Sequence, residues 1–414
     1  MHRMRRFVFA LVVSCVSLAA VLEAGEPPRV ALNAIPSPVL FRGDAKTAYR
    51  DPTAVYHEGW FRLFFTLVRI EKVDGGEAPY SYTAWSRSRD LVTWSEPRIF
   101  TPRDRNLNYC SPGNIVRDGD EWVLCLQTYP RPHGETYGNA SARIWTMRSR
   151  DLEHWGEPEL LRVKGPDVPR EKMGRMIDAY LLEDMDVPGK WWCFYKQRGM
   201  SMSWSRDLRT WTYAGRVSAG ENACVIVDGD EYVLFHSPRN GIGVKRSRDL
   251  RTWRDEGVLT LGQPSWPWAR GRLTAGFVLD LRDEPAVGKA LMFMHGSAFP
   301  ENDPRGGFDT FASVGIAWSD DLKGWRWPPA LESRGVRSMP QAVGRESSWR
   351  PVPCGAACPR DCRKGPGSSK RRTHGVSAHG GGGTTAYLPH PRFRRRRAGP
   401  PLQAVLCTPA TGHS

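Results

Sequence analysis

This chain predicts an all-β fold, a propeller of five blades, and three observations predict it. The stretch Ser88-Arg89-Asp90-Leu91-Val92-Thr93-Trp94 returns as Ser149 to Trp155, Ser205 to Trp211, Ser247 to Trp253 and Ser319 to Trp325. Successive serines lie 61, 56, 42 and 72 residues apart, a period that holds a few strands per unit and reads as propeller blades or an array. Upstream of the motifs, alternating apolar runs flank polar turns such as Asp118-Gly119-Asp120 and Asp228-Gly229-Asp230. Asp-Gly between alternating runs is a strong hairpin signal, so each unit is a small antiparallel sheet of about four strands.

The motif has a structural job. A strand ends at the Ser, the Asp accepts bonds from backbone N–H groups of the turn, the Leu enters the core, and the Trp caps the junction with the next unit.

In chain order, residues 1–24 combine Arg3, Arg5 and Arg6 with an apolar run from Phe7 to Leu22 and the small residue Ala24. This is the pattern of a secretory signal peptide, which gives an exported protein, secreted or periplasmic, with no membrane segment once it is cleaved. Cys15 sits in a loose lipidation-box context, but the residues after it stay apolar where a polar tether is expected. Residues 25–50 form an N-terminal extension whose apolar stretch Val39 to Phe41 is placed to add a ring-closing strand. Residues 51–332 are the repeat region, large enough to bury one core as a single, monomeric domain.

The tail, residues 333–414, is different material: 15 Lys or Arg against 2 acids, four glycines from Gly380, and Arg394 to Arg397. It reads as disordered or as a frame-shifted translation. It carries +13 of the chain's +15, so the basic balance belongs to the tail, and nucleic acid is excluded as a partner of the folded domain. Cys354, Cys358 and Cys362 lack the paired gaps and fourth ligand of a zinc signature. Cys110, Cys125, Cys193 and Cys224 sit in or beside apolar strands, where buried free thiols are commoner than disulfides.

The chemistry is sought at the axis, where the innermost strands begin. Unit by unit, the polar residues there are Asp51 beside Arg50, Ser111 with Asn114, Asp178, Glu221 and Arg272. Acids at strand starts do not help a sheet, and three near one axis repel one another, so their presence points to function. Arg175, Arg272 and His295 are further candidates for binding sugar. The loop from Tyr129 to Asn139 is long enough to rim the pocket, and Trp266 and Trp268 offer a stacking face.

The Arg-Asp-Pro opening of the first unit, the Asp of the third, the Glu of the fourth and the Ser-x-Asp-Leu-x-x-Trp ends resemble the five-bladed β-propeller glycoside hydrolases, closest in pattern to family 43 and its relatives. The resemblance covers residues 49 to about 330. It implies Asp51 as general base, Asp178 as the residue that tunes and orients the acid, and Glu221 as general acid, acting on plant- or algal-type saccharides. Inverting hydrolysis needs one carboxyl to protonate the leaving oxygen and one carboxylate to activate water. A neighbouring carboxylate, Asp178, would hold a proton on Glu221. No cofactor or catalytic metal is required, and a structural calcium in the central channel is compatible with this reading. Two departures, Asn222-Ala223 after the Glu where the family usually has Gly-Pro and Ala179 after the Asp where Pro is common, leave the acids in place and the substrate open. The alternatives are a glycoside phosphorylase, a fructan-type hydrolase, or a non-catalytic carbohydrate-binding propeller.

Overall fold

The computed structural model describes residues 29–329, except 301, 302, 304 and 306–308. The expectations for the signal peptide, Cys15 and the basic tail lie outside the described residues.

Five antiparallel sheets follow one another along the chain. Blade 1 comprises Thr47–His57, Trp60–Val73, Gly76–Ser88 and Arg98–Ile99. In blade 2 the first strand is broken into Tyr109–Cys110 and Ile115–Asp118, followed by Glu121–Thr128, Ile144–Ser149 and Glu159–Leu160. Blade 3 runs Ile177–Glu183, Trp191–Lys196, Met200–Ser205 and Trp211–Val217, and blade 4 runs Glu221–Asp228, Glu231–Ser237, Gly243–Ser247 and Arg254–Val258. Blade 5 has three strands from its own stretch of chain, Arg272–Leu281, Lys289–Ser297 and Ala312–Ser319. Its outer edge is shared by Val39–Phe41 and Trp325–Arg326, both paired with Ala312–Ser319. The two ends of the described chain thus meet in one sheet, which closes the ring and leaves no raw inner edge.

The first strand of each blade is innermost, and these strands neighbour one another around the axis. Apolar side chains fill the space between sheets: Phe61, Leu63, Phe65, Phe235, Phe293 and Ile316 are wholly buried, each stabilising the fold by about 1.5–3 kcal/mol relative to exposure. Cys110, Cys125, Cys193 and Cys224 are buried free thiols within this packing.

The repeated motif builds the same turn at each blade. Ser88 Oγ donates to Asp90 Oδ1 (2.9 Å) and accepts from the Leu91 N–H (2.8 Å), while Asp90 Oδ1 accepts from the N–H groups of Val92 (2.9 Å) and Thr93 (2.8 Å). Asp151, Asp207, Asp249 and Asp321 repeat the carboxylate's part. The sequence did not announce the backbone of the Leu. Leu91, Leu152, Leu208, Leu250 and Leu322 all have φ between +56° and +63°, a conformation costing an L-residue roughly 1–2 kcal/mol. All five are at most 3% exposed, so the burial of about 1.5–3 kcal/mol offsets the strain, and glycine could not supply it. The Trp packs on the preceding blade rather than the next: Trp155 meets Phe64 of blade 1, Trp325 meets Phe235 of blade 4, and Trp94 meets Phe41 on the edge of blade 5, with ring centroids 5.7, 6.2 and 5.5 Å apart.

Candidate active site

Every inner strand is interrupted at its axial end. Pairing with the second strand skips from Arg50 to Thr53, Ile177 to Tyr180, Glu221 to Cys224 and Thr274 to Phe277, and in blade 2 it breaks between Cys110 and Ile115. At each interruption one residue takes a positive φ: Asp51 (47°), Ser111 (44°), Asp178 (55°), Asn222 (53°) and Ala275 (51°). These bulges turn the chain toward the axis, as bulges beside active sites do. They also reveal the register of the five-fold repeat. Asp51 and Asp178 are equivalent, whereas Glu221 sits one residue before its bulge, alongside Arg50, Cys110, Ile177 and Thr274.

Opposite that preceding residue, the second strands carry Thr66, Gln127, Lys196, Ser237 and His295. Four of these accept the bulge N–H of the next blade: Thr66 Oγ1 from Ser111 (2.7 Å), Gln127 Oε1 from Asp178 (2.7 Å), Ser237 Oγ from Ala275 (2.8 Å) and His295 Nδ1 from Asp51 (3.1 Å). Lys196 is the exception, because an ammonium has no lone pair to offer Asn222. Its Nζ instead bonds Glu221 Oε2.

The bulges surround an open polar cavity of about 260 Å³ lined by Asp51, Asp178 and Glu221 together with Arg50, Arg175, Arg272 and His295. With Ser111, eight of the residues expected from sequence therefore converge. Asn114 does not. Its Nδ2 donates to the Leu181 carbonyl (2.7 Å) and its Oδ1 accepts from the Leu181 N–H (2.8 Å), so it ties blade 2 to blade 3. Trp266 and Trp268 are corrected as well: both are buried, stacked at 5.1 Å, with Trp327 edge-on to Trp266. Tyr129, Arg131 and Tyr137 of the long loop do line the cavity. Sequence reasoning missed Lys196, Thr66 and Gln127, since only the strand register brings them to the axis.

The three carboxyls occupy different environments. Asp51 is buried, which would raise its pKa, but the Arg50 charge first, then the adjacent His295 ring and the hydroxyl donors on Oδ2, lower it below the usual carboxylate range. Those donors are Ser111 Oγ (2.7 Å) and Thr66 Oγ1 (3.1 Å). His295 is buried and its pKa lowered by that burial. Because Nδ1 accepts from the Asp51 N–H, it carries no proton, and its 3.4 Å approach to Asp51 Oδ1 is a lone-pair contact rather than an ion pair. No donor among the described residues engages Oδ1, so that oxygen is left for a water.

Asp178 is the opposite case. No donor among the described residues bonds its carboxyl, and burial, with Glu221 and Asp51 adding like charge, pushes it up to about 7. Glu221 is held down despite burial, by Lys196 first and then Arg272, whose Nη2 donates to Oε1 at 2.6 Å. This reverses the sequence-based expectation for the resting proton: of the coupled pair, Asp178 holds it and Glu221 is ionised. Lys196, Glu221 and Arg272 also line a second cavity of about 270 Å³, together with Gly199, Gly220 and Arg239.

Among the described residues no group of three or more His, Cys, Asp or Glu is arranged to hold a metal ion. Calcium takes six to eight oxygens. A smaller axial pocket is lined by Asp51, Ser111, Asp178 and Asn222 as well as by Pro52, Pro112, Ala179, Ala223 and Gly276, and Asp51 Oδ2 is committed to two hydroxyls.

Fold and site together define a five-bladed β-propeller with an axial cavity that holds three carboxyls among five cationic side chains. No protein-family profile matches the chain, and no curated protein matches it. Among solved structures it is similar to a glycosyl hydrolase from Bacteroides ovatus, with 14% identity, 72% of this chain and 97% of that one covered, and a TM-score of 0.51. It is also similar to a family 117 glycoside hydrolase of the marine bacterium Zobellia galactanivorans (15%, 68% and 87%, 0.49) and to an exo-1,5-alpha-L-arabinanase from a bovine ruminal metagenomic library (16%, 70% and 100%, 0.48). At 14% identity the first of these likenesses shows the fold alone.

Proposed function

We propose that this protein is an inverting glycoside hydrolase of plant- or algal-type saccharides. The observation that carries the reading is one cavity holding three carboxyls from three blades whose environments drive their protonation apart. Pairs of acids tuned in opposite directions are how one site supplies both a base and an acid near neutral pH.

In the reaction, Asp51 Oδ1 takes a proton from water as the water oxygen bonds the anomeric carbon. The glycosidic C–O bond breaks, and the leaving oxygen receives the proton held by the Asp178–Glu221 pair. Lys196 and Arg272 fix the Glu221 carboxylate by opposed ion pairs. Because Glu221 lines two cavities, the saccharide can extend away from the cleaved bond into both. The leader-like residues 1–24 support export, which suits a polymeric substrate met outside the cytoplasm.

The test is release of reducing ends from a panel of plant and algal oligosaccharides by wild type, Asp51→Asn and Glu221→Gln, with the anomer of the first product read by proton NMR. Turnover by wild type alone, with the opposite anomer formed first, supports the reading. Turnover of a substrate unaffected by both substitutions removes this cavity as the catalytic site. Saturable binding without turnover makes the chain a carbohydrate-binding propeller.

A further inference from the structure

The cations of the cavity exceed what its acids require. Arg50, Arg131, Arg175, Lys196 and Arg272 line it, against Asp51, Asp178 and Glu221. Arg131 is spent: it forks onto Asp309 at 2.6 and 2.7 Å and its Nε donates to the Glu135 carbonyl. Lys196 and Arg272 share the single charge of Glu221, and Arg50 faces Asp51. That leaves Arg175 without a carboxylate. Among the described residues it makes no salt bridge; its Nε donates to the Gly138 carbonyl at 3.1 Å and its guanidinium lies 5.5 Å from the Tyr129 ring centroid. These two contacts fix the plane of the guanidinium and leave its Nη groups without a partner among the described residues. Arg175 and Lys196 come from the same blade and both line the cavity: Lys196 lies opposite Ile177, two residues after Arg175, and the adjacent Gln197 donates from Nε2 to the Arg175 carbonyl at 3.0 Å. Lys196, moreover, occupies the position where the other four blades place a junction acceptor.

A pre-oriented guanidinium with free Nη groups is built to bind an oxyanion through paired hydrogen bonds, which neutral sugar hydroxyls do not demand. We propose that Arg175, assisted by Lys196, seats an oxyanion carried on the saccharide, a uronate carboxylate or a sulfate ester, so that the substrate class is an acidic glycan. The inference rests on the glycoside hydrolase reading for its substrate and on the cavity alone for its anion. The same chemistry would attract free phosphate, and the experiment separates the two sources.

The experiment compares matched acidic and neutral oligosaccharides (glucuronoxylan against xylan, sulfated against desulfated galactan) with wild type, Arg175→Gln and the charge-keeping Arg175→Lys. Inorganic sulfate and phosphate serve as free anions, each variant's fold being checked by thermal unfolding. The expected result is a kcat/KM at least tenfold higher for the acidic member of a pair. That ratio collapses by tenfold or more in Arg175→Gln, mainly through KM, and is partly restored in Arg175→Lys. A neutral preference in wild type, or an equal loss on both members, overturns the proposal, as does release of a sugar phosphate when phosphate is added. Should no saccharide be cleaved, titration calorimetry with the acidic oligosaccharides still decides: binding lost in Arg175→Gln retains the anion seat and rejects only the hydrolase reading, and absence of binding rejects the seat.

Discussion

Lys196 pairs with Glu221 at the one blade junction that lacks the hydrogen-bond acceptor the repeat supplies elsewhere. At the other four junctions Thr66, Gln127, Ser237 or His295 accepts the bulge N–H of the following blade. A departure from an otherwise uniform structural device, located at the acids, is what a functional demand on the scaffold produces.

Replacing Lys196 with Gln, the residue blade 2 uses at this position, should therefore separate stability from activity. The lost ion pair is partly exposed and is worth under about 1 kcal/mol, and the new bond to Asn222 contributes about 0.5–1.5 kcal/mol. We expect an unchanged or raised melting temperature together with a kcat/KM reduced tenfold or more. A variant that is both destabilised and fully active would show that Lys196 serves packing alone.

The pH profile follows from the two tuned aspartates. Activity needs Asp51 ionised, which its lowered pKa secures throughout the mildly acidic range, and needs the Asp178–Glu221 pair to hold one proton, which is lost as pH rises through about 7. The kcat/KM should be flat on the acid side and fall above about pH 7. In Glu221→Gln the like charge that helps hold the Asp178 proton is gone, so the residual activity, lowered by a factor of about 10² or more, should decline at a lower pH. An alkaline limb that stays in place would separate Asp178 from the titration.

Much of this was legible in the chain. The Ser-x-Asp-Leu-x-x-Trp turns are written in side-chain chemistry, so Asp90 and its equivalents stand out, and Asp51, Asp178 and Glu221 stand out because acids are costly at strand starts. Thr66, Gln127 and Lys196 could not be found this way. Each lies on a second strand, and it reaches the axis only through the pairing of Arg50 with Thr66, Cys110 with Gln127 and Ile177 with Lys196. Asn114 was misplaced because the first strand of blade 2 is split, which rotates the residue into the junction with Leu181. Lys196, the half of the cationic clamp on Glu221 that lies on a second strand, was invisible from the sequence, and with it the resting place of the proton.

The turn aspartates predict a purely structural loss. Asp90 Oδ1 accepts two backbone N–H groups and the Ser88 hydroxyl, but the residue is exposed, so water can replace part of what is removed. Asp90→Ala should cost about 1 kcal/mol with kcat/KM unchanged, as measured by denaturant unfolding beside a standard assay. An equal cost from Asp90→Asn would show that the charge rather than the acceptor matters.

Asp178 makes the converse prediction, that removing a catalytic group strengthens the fold. Its folded pKa lies near 7, against about 4 in an unfolded chain. The folded state thus binds the proton more tightly, and the carboxyl is least unfavourable to folding at or below about pH 4. As pH rises from about 4 to about 7 the unfolded chain ionises freely while the buried carboxyl resists, and stability falls across that window before levelling off. Asn keeps the shape and has no charge to bury. Asp178→Asn should therefore raise stability by on the order of 2–4 kcal/mol above pH 7, taking about 1.4 kcal/mol per pKa unit as the upper bound, and the gain should shrink steadily as the pH is lowered toward 4. Paired urea unfolding curves of wild type and variant at pH 5 and pH 8 decide it. A difference that does not depend on pH would mean that Asp178 is ionised in the folded protein, and the acid half of the mechanism would have to be placed elsewhere.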